Sequence, residues 1–126
     1  MNCIIIDDDE LAHAILEQLI KNNPNLTLEN SFPSATQAIQ YLNKNTVSLV
    51  FSDIKMPEIS GLDFIRTLKN PPKIILTSSD KSFAIDASKF NCVVDFLVKP
   101  ITQERFNTAV QKAINNIKFC IRRESE

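Results

Sequence analysis

Four short runs, 3–6, 47–52, 74–77 and 93–98, are predominantly apolar and rich in β-branched residues, the first without interruption. A half-wet strand alternates apolar and polar side chains, whereas a continuous apolar run suits a strand covered on both faces. Between these runs the rhythm changes to three and four. Leu11, Ala12, Ile15, Leu16, Leu19 and Ile20 recur at helical spacing over 9–21, and Asn22-Asn23-Pro24-Asn25 ends that helix. Residues 26–32 alternate and predict a strand, at an edge. Ser34 is an N-cap candidate for a helix carrying Ala35, Ala38, Ile39 and Leu42. Leu62, Phe64, Ile65 and Leu68 mark a helix after Gly61, broken by Pro71-Pro72. A weakly apolar, loosely held helix is expected over 81–90. Thr102 caps a last helix whose stripe is Phe106, Ala109, Val110, Ala113, Ile114 and Ile117.

Strands alternating with helices give a doubly wound (βα)5 fold, with right-handed crossovers and helices on both faces of a five-stranded parallel sheet. The 126 residues fit one domain, expected over 1–120, with 121–126 a polar tail or the start of a linker. A net charge of −1 and no basic stripe exclude this domain from gripping nucleic acid by itself. No apolar run approaches the roughly 18 residues that cross a bilayer. Cys3, Cys92 and Cys120 are odd in number and widely spaced, so they imply neither a disulfide framework nor a zinc site. With no signal peptide, reduced thiols point to the cytoplasm.

In a parallel sheet every strand's carboxyl end opens on the same edge, where ligands bind. The first strand delivers Asp7, Asp8 and Asp9 there, the third Asp53, the fourth Thr77-Ser78-Ser79, and the fifth Lys99-Pro100. Converging carboxylates repel, so they take up protons or share a cation. An all-oxygen site with room for water suits Mg2+. Lys99 adds a positive charge that pairs with Asp53 or with an anion bound there. Such a set suits phosphoryl transfer, with Asp53 as the nucleophile. Asp9 and Glu10 are read instead as negative charge at a helix N-terminus. His13, on the first helix, is read as a surface residue away from the strand ends. Gly61, the only glycine, is read as a turn residue with positive φ.

From about Asn2 to Ile117 the sequence resembles the receiver domain of bacterial two-component response regulators. The Asp7-Asp8 pair, Asp53-Ile54-Lys55-Met56-Pro57 with Gly61 downstream, and Lys99-Pro100 carry the resemblance by their order and spacing. It implies the flavodoxin-like strand order 2-1-3-4-5. It also implies Asp53 as acceptor of a phosphoryl group from a sensor histidine kinase, with Mg2+ on Asp8, Asp7, Asp53 and the backbone carbonyl of Lys55. Lys99 would contact the phosphoryl group, and Lys99–Pro100 would be cis. Phe96, three residues before Lys99, matches the aromatic switch position. The switch hydroxyl is Ser78, with Ser79 as the small residue after it, or Thr77 followed by Ser78. Pro57, Gly61 and Pro100 would be structural.

The implied protein is a phosphoacceptor rather than a turnover enzyme, catalysing its own phosphotransfer and dephosphorylation. Its switching face, made by the fourth helix, fifth strand and fifth helix, would form a homodimer or control an output domain. Asn70-Pro71-Pro72-Lys73-Ile74-Ile75 and the wording around Asp95-Phe96-Leu97 resemble the branch whose output is a LytTR-type DNA-binding domain. Either a C-terminal domain of that kind follows a linker, which the polar end after Cys120 favours, or the chain is a stand-alone receiver acting through protein contacts. A magnesium-dependent aspartyl-phosphate phosphatase is the alternative of a different class. It usually carries its nucleophile after the first strand, whereas Asp53 follows the third. A flavin carrier lacks support from a chain with one glycine and no phosphate-cradling loop.

Overall fold

The structure is a computed structural model and describes residues 1–119; Cys120 and the expected tail at 121–126 lie outside the described residues. The strands β1 (Asn2–Ile6), β2 (Thr27–Phe32), β3 (Leu49–Asp53), β4 (Lys73–Ser78) and β5 (Val93–Val98) form one parallel sheet in the order β2-β1-β3-β4-β5. Helices α1 (Glu10–Lys21), α2 (Ala35–Leu42), α3 (Gly61–Thr67), α4 (Ala84–Ala87) and α5 (Gln103–Ile114) alternate with them.

Consecutive side chains on the inner strands enter two different cores. Cys3, Ile5, Phe51, Ile75 and Leu97 pack under α1 and α5, against Leu16, Ile20, Phe106 and Val110. Ile4, Ile6, Val50, Ile74 and Phe96 pack on the other face, with Ala38, Phe64 and Ala87 of α2, α3 and α4. The predominantly apolar runs are explained by this two-sided cover. Phe51 and Phe106 stack with centroids 5.1 Å apart. The Cys3 thiol lies fully buried in this core, and burial pushes its pKa to about 12. Cys92 is half-buried.

The helices start where hydroxyl and carboxylate caps predict. Asp9 accepts from Leu11 N–H, Ser34 from Gln37 N–H and Thr102 from Arg105 N–H. Two expectations change. The segment 81–90 is not one helix but a 3-10 turn, Lys81–Phe83, followed by the four residues of α4. Asp80 caps that turn through Ser82, and only Ala87 of α4 is buried, so little apolar burial is available to extend it. Helix α5 stops at Ile114, leaving Ile117 outside it and 48% exposed.

Asp95 is a charge inside an apolar strand and is fully buried. Arg105 grips it with two bonds of 2.7 Å, and Lys112 adds a third at 3.2 Å, so α5 is fastened to β5. Burial alone would push the Asp95 carboxyl up, but the Arg105 bonds and charge outweigh it and hold the pKa below the ordinary value of 3.8. A depressed carboxyl pKa stabilises the fold above the unfolded value and loses that effect as pH falls through the folded value. Asp95→Asn is therefore expected to cost stability at pH 7, about 1–3 kcal/mol, because Arg105 and Lys112 are partly exposed and stay solvated. The gap to the parent should close below pH 4 in urea titrations.

Candidate functional site

The carboxyl edge of the sheet gathers acids from the ends of two strands and a lysine from the end of a third. Asp7 follows β1, and its N–H donates to Phe32 O at 3.0 Å, so the β1–β2 ladder continues one residue beyond the strand and fixes its orientation. Its side chain is fully buried, with Oδ1 accepting from Asp9 N–H at 3.0 Å and Oδ2 from Lys99 Nζ at 3.0 Å. Asp53 ends β3, is 8% exposed, and lies 3.4 Å from the same Nζ. Asp8 is exposed at the rim. Lys99 is held from behind, its N–H donating to Ser78 O at 2.8 Å, and its bond to Pro100 is cis as expected.

One carboxylate oxygen from each of Asp7, Asp8 and Asp53 lies within 4.8 Å of the others. Oxygens so close fit the donor shell of one small, hard cation, whose Mg–O distances are about 2.0–2.1 Å. The electrostatics agree. Burial raises the Asp53 carboxyl above its ordinary value, the charge of Asp7 raises it further, and Lys99 offsets only part. Burial works against the Lys99 ammonium, yet its bond to Asp7 and the charges of both acids hold its pKa above 10.5. The pocket thus has a permanent ammonium and a surplus of negative charge.

The β3–α3 loop is shaped by Gly61, and not for the reason expected. No glycine here has positive φ; the left-handed residue of the loop is Glu58, with φ 69°. Gly61 is needed because a Cβ there would stand 2.3 Å from the carbonyl oxygen of Asp53. Its N–H donates to Ile54 O at 2.8 Å, and Ser60 caps α3 through Asp63 N–H, so the helix start is pressed onto the backbone that carries Asp53. Pro57 is exposed and closes the loop's turn, accepting from Ile59 N–H at 2.8 Å. The Lys55 side chain leaves the pocket, reaching Asp80 at 3.7 Å and the Phe83 ring at 5.6 Å.

The two hydroxyls left open by the sequence differ in environment. Ser78 Oγ accepts from Asp80 N–H at 3.0 Å, a local turn bond. Thr77 pairs in register with Asp53, and its buried hydroxyl finds no hydrogen-bond partner among the described residues. Phe96 is buried in the core under α2, α3 and α4, its ring 6.4 Å from that of Phe119. His13 is a half-buried surface residue as expected, but it is not away from the strand ends: its Nε2 bonds to the carbonyl of Asp7. Nothing in the pattern of α1 marked that contact, which depends on how the helix lies across β1. Asp95 did carry a signal, since a charge inside an apolar strand demands a buried partner.

An apolar cleft of about 290 Å³ flanks Lys99, lined by Leu11, Ala12, Ile15, Pro100 and Ile101. Leu11 and Ile15 are 67% and 44% exposed. A larger cleft, about 670 Å³, lies between the far ends of α2 and α3 and contains none of the acids. No helix among the described residues is long and apolar enough to cross a membrane.

A model of the response regulator receiver domain matches residues 3–111. The sensory transduction protein LytR of Staphylococcus epidermidis is 32% identical over 115 residues, covering 89% of this chain and 45% of that protein. LytT of Enterococcus faecalis is 27% identical, covering 90% of this chain and 48% of its own length. The chain thus spans about half the length of these curated relatives. The crystal structure of the response regulatory domain of mrkE from Klebsiella pneumoniae superposes with a TM-score of 0.81 at 26% identity, over 92% of this chain and 97% of that one.

Gly61→Ala is expected to destabilise the protein by about 1–3 kcal/mol in urea unfolding, because the backbone it meets has no flexible side chain to yield. A raised carboxyl pKa means the folded protein holds that proton more tightly than the unfolded chain, so stability falls as pH rises through the folded value. Without divalent metal, Asp53→Asn should therefore be more stable than the parent at pH 7. The difference should shrink toward pH 4.

Proposed function

The chain belongs to the response regulator receiver family, and from that premise we propose that Asp53 accepts a phosphoryl group from the phosphohistidine of a sensor histidine kinase. The observation that carries this reading is the Asp53 carboxylate at a strand end beside Asp7, Asp8 and the Lys99 ammonium. A carboxylate oxygen of Asp53 forms the new O–P bond as the P–N bond of the donor breaks. The bonding pair leaves with the imidazole nitrogen, which takes a proton. Lys99, close to Asp53, neutralises charge on the phosphoryl oxygens, and the preset position of the acid supplies most of the remaining catalysis.

Asp7, Asp8, Asp53 and the backbone carbonyl of Lys55 would hold Mg2+, which supplies charge neutralisation for the phosphoryl oxygens when bound. The apolar cleft at Leu11, Ile15 and Ile101, next to Lys99, would seat the kinase helices that present the phosphohistidine. The chain catalyses its own phosphorylation and the hydrolysis that ends it. It acts in the cytoplasm, where the kinase displays its phosphohistidine.

Of the two hydroxyls, we assign the switch to Thr77. Ser78 Oγ already accepts a local bond, while the Thr77 hydroxyl is buried, lacks a partner among the described residues, and sits opposite Asp53 in the strand register. A phosphoryl group on Asp53 supplies the acceptor that this hydroxyl lacks. The movement that follows biases Phe96 and the surface of α4, β5 and α5 toward a second population, which pairs with another copy of the chain or frees an output domain. The LytR and LytT relatives, about twice as long as this chain, support a LytTR-type DNA-binding output C-terminal to it.

Incubation with acetyl phosphate and magnesium should add one phosphoryl group by intact mass, and Asp53→Asn should add none. An equal mass gain in the variant would refute the acceptor assignment. Thr77→Ala should be phosphorylated yet fail to change oligomeric state on phosphorylation, whereas Ser78→Ala should respond like the parent.

A further inference from the structure

The chain does not leave the domain straight from α5. Asn115 caps the helix, and Asn116 takes the left-handed conformation at φ 57°. Asn116 N–H donates to Ala113 O and Ile117 N–H to Lys112 O, the two bonds of a Schellman turn. Asparagine is among the few residues that enter this conformation at low cost. The turn sends the chain back to the free edge of β5. There Lys118 Nζ bonds to Asn91 Oδ1 at 2.7 Å, and Phe119 N–H donates to Val93 O at 3.0 Å. The half-buried Phe119 ring joins the core of α2, α3 and α4, with its centroid 6.4 Å from that of Phe96 and the planes at 30°.

We propose that residues 116–119 are a strap that reads the position of Phe96 and carries it to the chain leaving the domain. The inference rests on the receiver reading above, which makes Phe96 the aromatic that moves when Asp53 is phosphorylated. Three contacts hold the end of the strap: the exposed Lys118–Asn91 bond, one backbone bond at a sheet edge and one ring packed near Phe96. The edge bond alone is open to water from the outer side and is weak. The aromatic contact is what keeps it closed, since such pairs add to the stabilisation that their buried area supplies. When the Phe96 ring moves, Phe119 loses its packing partner and the strap separates from β5. The Asp95–Arg105 clamp keeps α5 on β5 meanwhile, and Arg105 also donates to Phe96 O at 3.3 Å, so the ring can turn while backbone and helix stay fixed.

The sequence contains no tryptophan, so Phe119→Trp introduces a single fluorescent reporter on the strap. Beryllofluoride with magnesium mimics the phosphoryl group, and its binding is followed separately by 19F NMR. Binding should shift the emission of the introduced indole to the red and increase its quenching by acrylamide. Amide exchange at residue 119 of the parent should accelerate on the order of tenfold. In the Phe119→Trp background, Phe96→Leu, with folding checked by circular dichroism, should still bind beryllofluoride and should lose most of the indole response. Bound beryllofluoride with unchanged indole emission and unchanged exchange at residue 119 would overturn the strap while leaving the phosphoacceptor reading intact. Failure of beryllofluoride to bind would overturn the phosphoacceptor reading and the strap with it.

Discussion

One ammonium holds two buried carboxylates together. Lys99 Nζ lies 3.0 Å from Asp7 and 3.4 Å from Asp53, and these three groups come from three different strand ends. Two acids this close and this buried repel: burial first, and then the charge of Asp7, raise the pKa of Asp53, and Lys99 offsets only part. The residual negative charge and the three converging carboxylates suit the pocket to a divalent cation. The same residue fixes the edge of the sheet, because the Lys99 backbone bonds to Ser78 and the chain then turns through a cis proline.

The placing of Asp53 depends on an approach that only a residue without a side chain permits. Gly61 brings the start of α3 onto the Asp53 carbonyl, so the loop carrying Ile54 and Lys55 is held from both ends. The acid is therefore set by backbone bonds on each side, from β1 and β4 in the sheet and from α3 beyond it. A side chain preset in this way loses little further freedom when it engages another group. Arg105 and Lys112 perform a similar service for β5 by neutralising Asp95, so one edge of the sheet is fastened by charge and the interior by packing.

The sheet was legible because strands covered on both faces read as mostly apolar runs, and the helices through their period of three and four with caps at Ser34 and Thr102. The acids and Lys99 were legible because they follow those runs directly. What escaped depends on contacts between distant elements. The segment 81–90 carries enough apolar residues to suggest a helix, but only Ala87 among those of α4 finds full cover. His13 reaches Asp7 only because of the way α1 lies across β1. Phe119 reaches Phe96 only after a reversal at Asn116, whose left-handed backbone has no periodic signature.

By itself, the sequence determined the class of fold, the two-sided cover of the sheet and the edge on which Asp7, Asp8, Asp53 and Lys99 meet. Period and polarity are local properties, and in a parallel sheet they oblige all strand ends to open together. Only the tertiary structure placed Thr77 and Ser78 in different surroundings, gave Gly61 its reason and docked Phe119 on β5. Those outcomes rest on which atoms lie a few ångströms apart across the chain: a buried hydroxyl in register with an acid, a carbonyl with no room for a methyl group, and one ring packed near another.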